Sequence, residues 1–224
     1  MAATKIEASN IAAGAVASTG FTSVQVFTAA STWTRPTDIT KVIVEVQGGG
    51  GSSGSGDVDW SFGGGGGSGG YVKKFINVSS IANAVLLVGA GGIKSAGTSA
   101  GNSSWIDTAH GGSSTLTGGL GGNGTNGVHP SPEHGTGGTG GTATGGDINI
   151  PGENGTVGNA HNPASLASSE LSTGGYGFTR TDNSYGASTP GHNYGGGAAQ
   201  GRGNNVTNAG SDGAAGIVIV WEYK

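Results

Sequence analysis

The residues with most chemical potential sit close together at His129-Pro130-Ser131-Pro132-Glu133-His134, with two imidazoles and a carboxylate in six positions. These are zinc-ligand types, but Pro130 and Pro132 rule out the helix that would turn both histidines to one face. The stretch reads as a solvated loop. Gly122-Asn123-Gly124-Thr125-Asn126-Gly127 satisfies the dinucleotide fingerprint. No helical pattern follows it, and a chain with 51 glycines in 224 residues meets such a pattern by chance. Asp57, Asp59, Asp107, Asp147 and Glu153 show no spacing that pairs two carboxylates for acid–base work, and Asp57 and Asp59 fit a turn cap. Cysteine is absent, so no thiolate nucleophile, disulfide or cysteine-held metal is available. The expectation is no catalysis, no cofactor and no metal.

What remains is the chemistry of surface recognition. Trp60, Phe62, Trp105, Tyr176, Phe178, Tyr185 and Tyr194 fall between glycine tracts, with His129, His134 and His192 in the same kind of loop. Such rings either stack on a partner, as on the apolar face of a sugar, or pack over the glycines. Arg180 is the first cation after Lys94. Among Tyr176, Phe178, Asp182 and Tyr185 it suits an anionic sugar or a phosphate, or else a pairing with Asp182. Tyr176–Tyr194 is the strongest candidate stretch. A net charge of −4 argues against a nucleic-acid partner, whose phosphates attract basic faces.

Loops need a scaffold, and the glycines show where it lies. Residues 1–47 hold only Gly14 and Gly20, residues 217–224 hold none, and the other 49 fall between Gly48 and Gly216. Glycine and proline together make a quarter of the chain, a composition bordering on disorder. The flanks, however, read as strands. Lys41–Gln47 places Val42, Val44 and Val46 on one face, and Ile217–Tyr223 is β-branched with apolar residues on both faces. Thr22–Thr28, Tyr71–Val78 and Ala84–Val88 are further strands, and Pro36-Thr37-Asp38 is a turn. Pairing of the end strands would close the glycine-rich part at its base. Inside it, Gly118, Gly121, Gly124 and Gly127 repeat every third residue, as do Gly135, Gly138 and Gly141, then Gly152, Gly155 and Gly158, then Gly210, Gly213 and Gly216. Three is the polyproline II period, and glycine at that spacing lets backbones approach and bond laterally. Broken phase and scarce proline reject collagen. Asn162-Pro163 opens one short helix, as N-cap and first helical residue. The fold expected is all-β/irregular: a β-sandwich-like base formed by the N- and C-terminal strands, carrying packed polyproline II-type helices with loops at the far end. Trp33, Phe27, Phe75, Trp221 and Tyr223 lie in strand-like runs and read as core or interface.

Residues 1–20 stand apart from 21–224. Ile6, Ile11, Val16 and Phe21 recur every five residues, too few to bury a core alone, which suits packing against copies of the chain or another protein. The N-terminus has neither the cationic start nor the apolar core of a secretory signal, and no apolar run approaches the length of a membrane span.

The run Val24-Gln25-Val26-Phe27-Thr28, then Thr32-Trp33-Thr34-Arg35-Pro36, then Ile39–Gln47 followed by Gly48–Gly51 resembles the start of the glycine-rich domain of phage tail fibre proteins. Gly63–Gly67, Gly69-Gly70-Tyr71, Val88–Gly92 and Gly213–Tyr223 continue the likeness over residues 24–223. More loosely, the alternation of glycine tracts and loops resembles the adhesins at T-even-like long tail fibre tips. The resemblance implies a virion protein, made in the host cytoplasm, that binds a bacterial polysaccharide or outer-membrane component. It also implies a homotrimer attached to other virion proteins through residues 1–20. The alternatives are a structural head fibre or decoration subunit and, from another class, an ice-binding protein.

Overall fold

The computed structural model describes residues 20–56, 61–94, 96–107, 114–128, 134–158, 167–172, 174–175, 188–201 and 210–224. Among the described residues ten strands are formed: β1 (Phe21–Phe27), β2 (Ser31–Thr34), β3 (Lys41–Gln47), β4 (Tyr71–Asn77), β5 (Asn83–Leu87), β6 (Ser103–Asp107), β7 (Ser114–Gly118), β8 (Ala143–Thr144), β9 (Ile148–Ile150) and β10 (Ile217–Tyr223). They make two antiparallel five-stranded sheets, ordered β1-β10-β3-β4-β9 and β2-β5-β6-β7-β8. The end strands pair as expected: β10 lies between β1 and β3, with Ile217 opposite Gln47 and Tyr223 opposite Lys41.

The sheets face one another. Val42, Val44 and Val46 of β3, Val72 and Ile76 of β4, and Val218 and Val220 of β10 pack on Trp33, Leu86, Trp105 and Leu116 from the second sheet. Alternation explains the choice, because successive residues of a strand point to opposite faces. The Trp33 and Trp105 rings stand 5.1 Å apart at the centre. Glu222 points inward from β10 and is buried, yet its carboxylate accepts from Trp33 Nε1 at 2.8 Å, Gln25 Nε2 at 2.7 Å and Ser23 Oγ at 2.5 Å. The turn before β3 closes with Ile39 N donating to the Pro36 carbonyl at 3.3 Å. Asp38 supplies the positive φ, 67°, that such a turn demands at its third residue.

Two expectations change. The base is not built from terminal strands alone: β6, β7 and β8 come from inside the glycine-rich stretch and complete the second sheet. Nor is β10 covered on both faces, since Ile219, Trp221 and Tyr223 remain half-buried. The helix expected at Asn162-Pro163 lies outside the described residues.

The glycine tracts form extended segments stacked side by side above the sandwich. The segment 62–70 runs through their middle. Its N–H groups take three directions in rotation. Those of Gly63, Gly66 and Gly69 donate to Gly201, Ala198 and Gly195; those of Gly64, Gly67 and Gly70 to Thr125, Gly122 and Gly119; those of Gly65 and Ser68 to Thr156 and Glu153. Carbonyls use two further neighbours: Gly64, Gly67 and Gly70 accept from Gly54, Gly51 and Gly48, and Phe62, Gly65 and Ser68 from Gly135, Gly138 and Gly141. A partner that changes with every residue and returns at the third is the signature of a three-residue helical turn. Five neighbours surround one backbone, and close approach is why glycine is needed. A Cβ at Gly64 would stand 1.9 Å from the Thr136 carbonyl oxygen, and one at Gly66 would stand 2.0 Å from that of Gly51. Only the third phase admits a side chain, and there Ser68 Oγ accepts from Glu153 N at 2.8 Å. Each lateral bond nets about 0.5–1.5 kcal/mol, against about 1–2 kcal/mol to fix each backbone residue. The bundle therefore depends on the apolar sandwich from which its segments spring.

Candidate functional site

The hydrogen-bond ladder gives the bundle two ends. At the base, Gly48 bonds Gly70, Gly70 bonds Gly119, Gly119 bonds Thr142, and Gly69 bonds Gly195. At the far end, Gly54 bonds Gly64, Gly127 bonds Ser55, Gly135 bonds Phe62, Gly158 bonds Gly135, and Gly63 bonds Gly201. Antiparallel neighbours such as 48–56 and 62–70 must be joined at that far end. The same holds for the pairs flanking 129–133 and 202–209. Residues 175 and 188–189 lie partway up the bundle: Gly175 N donates to Gly197, Ala199 N to Thr189, and Ser188 Oγ stands 2.8 Å from Ser211 Oγ.

The described residues of the far end form a small polar platform. His134 is exposed and stacks at 5.5 Å over the ring of Phe62, which is buried. Beside them Asn126 Oδ1 accepts from Ser55 N at 2.9 Å and from Lys94 Nζ at 2.5 Å. Burial lowers the Lys94 ammonium pKa below its ordinary value, and Lys94 N donates to Asp212 Oδ1 at 2.6 Å. Lys94 and Asn126 were not singled out by sequence, although Asn123 and Asn126 are three residues apart. That spacing is what lets their side chains accept from Ser52 N and Ser55 N in turn.

The candidate residues are distributed unevenly. His134 sits at the far end as expected, and Phe62 lies there too, but beneath the histidine. Trp105 is misread by sequence. It lies in β6, wholly buried against Trp33, with Nε1 donating to Asp107 at 3.3 Å, so it is a core residue that no partner can reach. His192 and Tyr194 flank the turn leading into Gly195, at the base end. There Ser172 Oγ donates to the His192 carbonyl at 2.7 Å and Ser169 Oγ to that of Tyr194 at 2.5 Å. They do not join the far-end group. Trp60, His129, Tyr176, Phe178, Arg180 and Tyr185 lie outside the described residues, as do Ile6, Ile11 and Val16.

A concavity of about 250 Å³ lies near the base between Tyr71, Ile150, Glu153, Ser169 and Glu170. Glu153 is already engaged there, accepting from Ser168 N at 2.8 Å. Burial, and then the neighbouring Glu45, push the Tyr71 hydroxyl well above the ordinary tyrosine range. It therefore stays protonated and donates to Glu45. Among the described residues no three His, Asp or Glu side chains converge as metal ligands.

The comparison with curated proteins returned no match. A family model described as a glycine-rich domain matches residues 24–223, a span that runs from within β1 to the end of β10 and takes in the glycine tracts. The chain therefore belongs to the glycine-rich domain family.

Proposed function

We propose that this protein is a phage virion fibre or tail-tip protein that binds a bacterial surface receptor, a polysaccharide or an outer-membrane component, without catalysis. It acts as a homotrimer, and residues 1–20 hold it to other virion proteins. One observation carries the reading. The glycine bundle stands on a β-sandwich and its segments end together on the side away from it, at Gly56, Phe62, Gly127, His134, Gly158 and Gly201. The connections that bear Trp60 and His129 start from that end, and the segments that flank Tyr176–Tyr185 leave the bundle partway up. A rigid scaffold presenting loops on one side is how variable binding surfaces are commonly built. The test is adsorption. The purified full chain should label susceptible bacterial cells and compete with virions for them. Failure of the intact assembly to bind any bacterium that the virions adsorb to would overturn the reading. Antibody labelling of particles separates a tail position from a capsid one, and a capsid position favours a structural head fibre.

One feature favours a second reading. Thr136, Thr139 and Thr142 are exposed at three-residue spacing, so their hydroxyls repeat every ~9.3 Å along one segment. Regular threonine rows suit an ice surface. Thermal hysteresis by the purified chain would support this reading, and its absence would remove it.

A further inference from the structure

The two outer faces of the sandwich differ in kind. On the second sheet, Thr32, Thr34, Asn83, Thr115 and Thr117 alternate outward around Val85, Leu87 and Ile106, so its apolar residues are set among polar ones. On the first sheet the outward apolar residues are Phe21, Val24 and Val26 of β1, Ile219, Trp221 and Tyr223 of β10, Ile43 of β3, Phe75 of β4 and Ile148 and Ile150 of β9, with Lys41, Glu45, Lys73 and Asn77 alternating among them. Phe21 is 58% exposed, Val26 55% and Phe75 53%. The Phe21 ring lies 6.1 Å from Trp221 and 5.9 Å from Tyr223, so the aromatics form one continuous surface. A groove of about 390 Å³ between Ile43, Phe75 and Tyr223, rimmed by Lys41 and Lys224, continues it. The five most exposed of these side chains leave roughly 400–500 Å² of apolar surface in water, at the upper end of what single soluble chains show.

We infer that this face of the first sheet packs against the same face of other copies of the chain. Three arguments choose a second copy over another partner. The area matches. Adding the half-buried Ile43, Ile219, Trp221 and Tyr223 brings the patch toward the ~800 Å² per partner of a stable interface. Most of the charges on or beside the face are already matched within one chain, and Lys41 sits at the groove rim, where water can still reach it. Glu45 meets Lys73 Nζ at 3.1 Å and accepts from Trp221 Nε1 at 3.1 Å, and Lys224 meets Asp38 at 3.6 Å. Packing this face around a shared axis thus buries little unpaired charge. The position also fits. Gly20, where residues 1–19 join, lines the groove, so the leading segments of all copies would start from one shared axis while the far ends stay free. The inference rests on reading the protein as an oligomeric fibre module. The two fail separately, because mass reports the interface and cell binding reports the far end.

Sedimentation velocity of the full chain tests it. The wild type should sediment as a multiple of 21.4 kDa. Val26→Lys and Phe75→Lys should weaken association at least tenfold with an unchanged circular dichroism spectrum, whereas Val85→Lys on the other outer face should leave it intact. The chain has no cysteine, which gives a second readout independent of those variants. Phe75→Cys should cross-link between copies and Val85→Cys should not. A monomeric wild type at tens of micromolar overturns the inference. Without dye binding, the face is covered by the chain's own residues 1–19; with dye binding, it awaits a different partner. Assembly that survives both lysine variants, or cross-linking from Val85→Cys alone, overturns it equally.

Discussion

Gly67→Ala is the sharpest perturbation of the bundle. Gly67 lies in the central segment, donates to Gly122 at 2.9 Å, and accepts from Gly51 at 2.8 Å. A Cβ there would stand 2.1 Å from the Thr139 carbonyl oxygen, 2.6 Å from its carbon and 3.0 Å from the Gly138 oxygen. All three atoms are backbone, so no side chain can swing aside, and relief requires the segments to part by about 1 Å. At that separation the neighbouring lateral bonds on this side, Gly138 N to Gly65 and Gly141 N to Ser68, both at 2.8 Å, no longer hold. Losing two or three buried backbone pairs costs about 1–3 kcal/mol each where a group is left unsatisfied, so a loss of roughly 3–6 kcal/mol is expected. Chemical denaturation followed by tryptophan fluorescence measures it. Gly20→Ala is the control, because nothing stands within 4 Å of its Cβ position. It should be neutral or stabilise by up to about 1 kcal/mol. A Gly67→Ala chain within about 1 kcal/mol of wild type would refute close packing of the bundle.

Two further predictions concern the sandwich. Glu222→Ala strands the buried Trp33 indole N–H and removes the acceptor of Ser23 and Gln25. It should lower unfolding free energy by about 2–4 kcal/mol, and Glu222→Gln by less, as read from denaturation midpoints. Tyr71 keeps its proton in the folded state past the unfolded value of 10.0. The folded state therefore holds more protons than the unfolded one above that pH, and its stability falls as pH rises through it. Tyr71→Phe should flatten this alkaline decline in melting temperature, and an unchanged slope would contradict the assignment.

Much of the scaffold was legible in the sequence. Strands β3 and β10 match the β-branched runs Lys41–Gln47 and Ile217–Tyr223 residue for residue, because alternation and branching both specify them. The three-residue glycine period was legible as well, since glycine in two phases of three leaves the third for Ser68. Strands β6 and β7 were not. Ser103-Ser104-Trp105-Ile106-Asp107 and Ser114–Gly118 are short and flanked by serine and glycine, and each is made a strand by its neighbours in the sheet. Trp105 consequently looked like a loop aromatic. Which segment adjoins which was also hidden, because a glycine backbone carries no side chain to specify its neighbour. His192 and Tyr194 went to the wrong end for that reason: whether a connection lies at the base or far away depends on how many times the chain has reversed before it.

The most direct test replaces residues 129–133 and 176–187, alone and together, with Gly-Ser linkers of equal length in the full chain. Binding to cells that the wild type labels should fall at least tenfold in the double replacement, while the melting temperature and assembly mass stay unchanged. Undiminished binding by a folded, assembled double replacement would contradict far-end recognition.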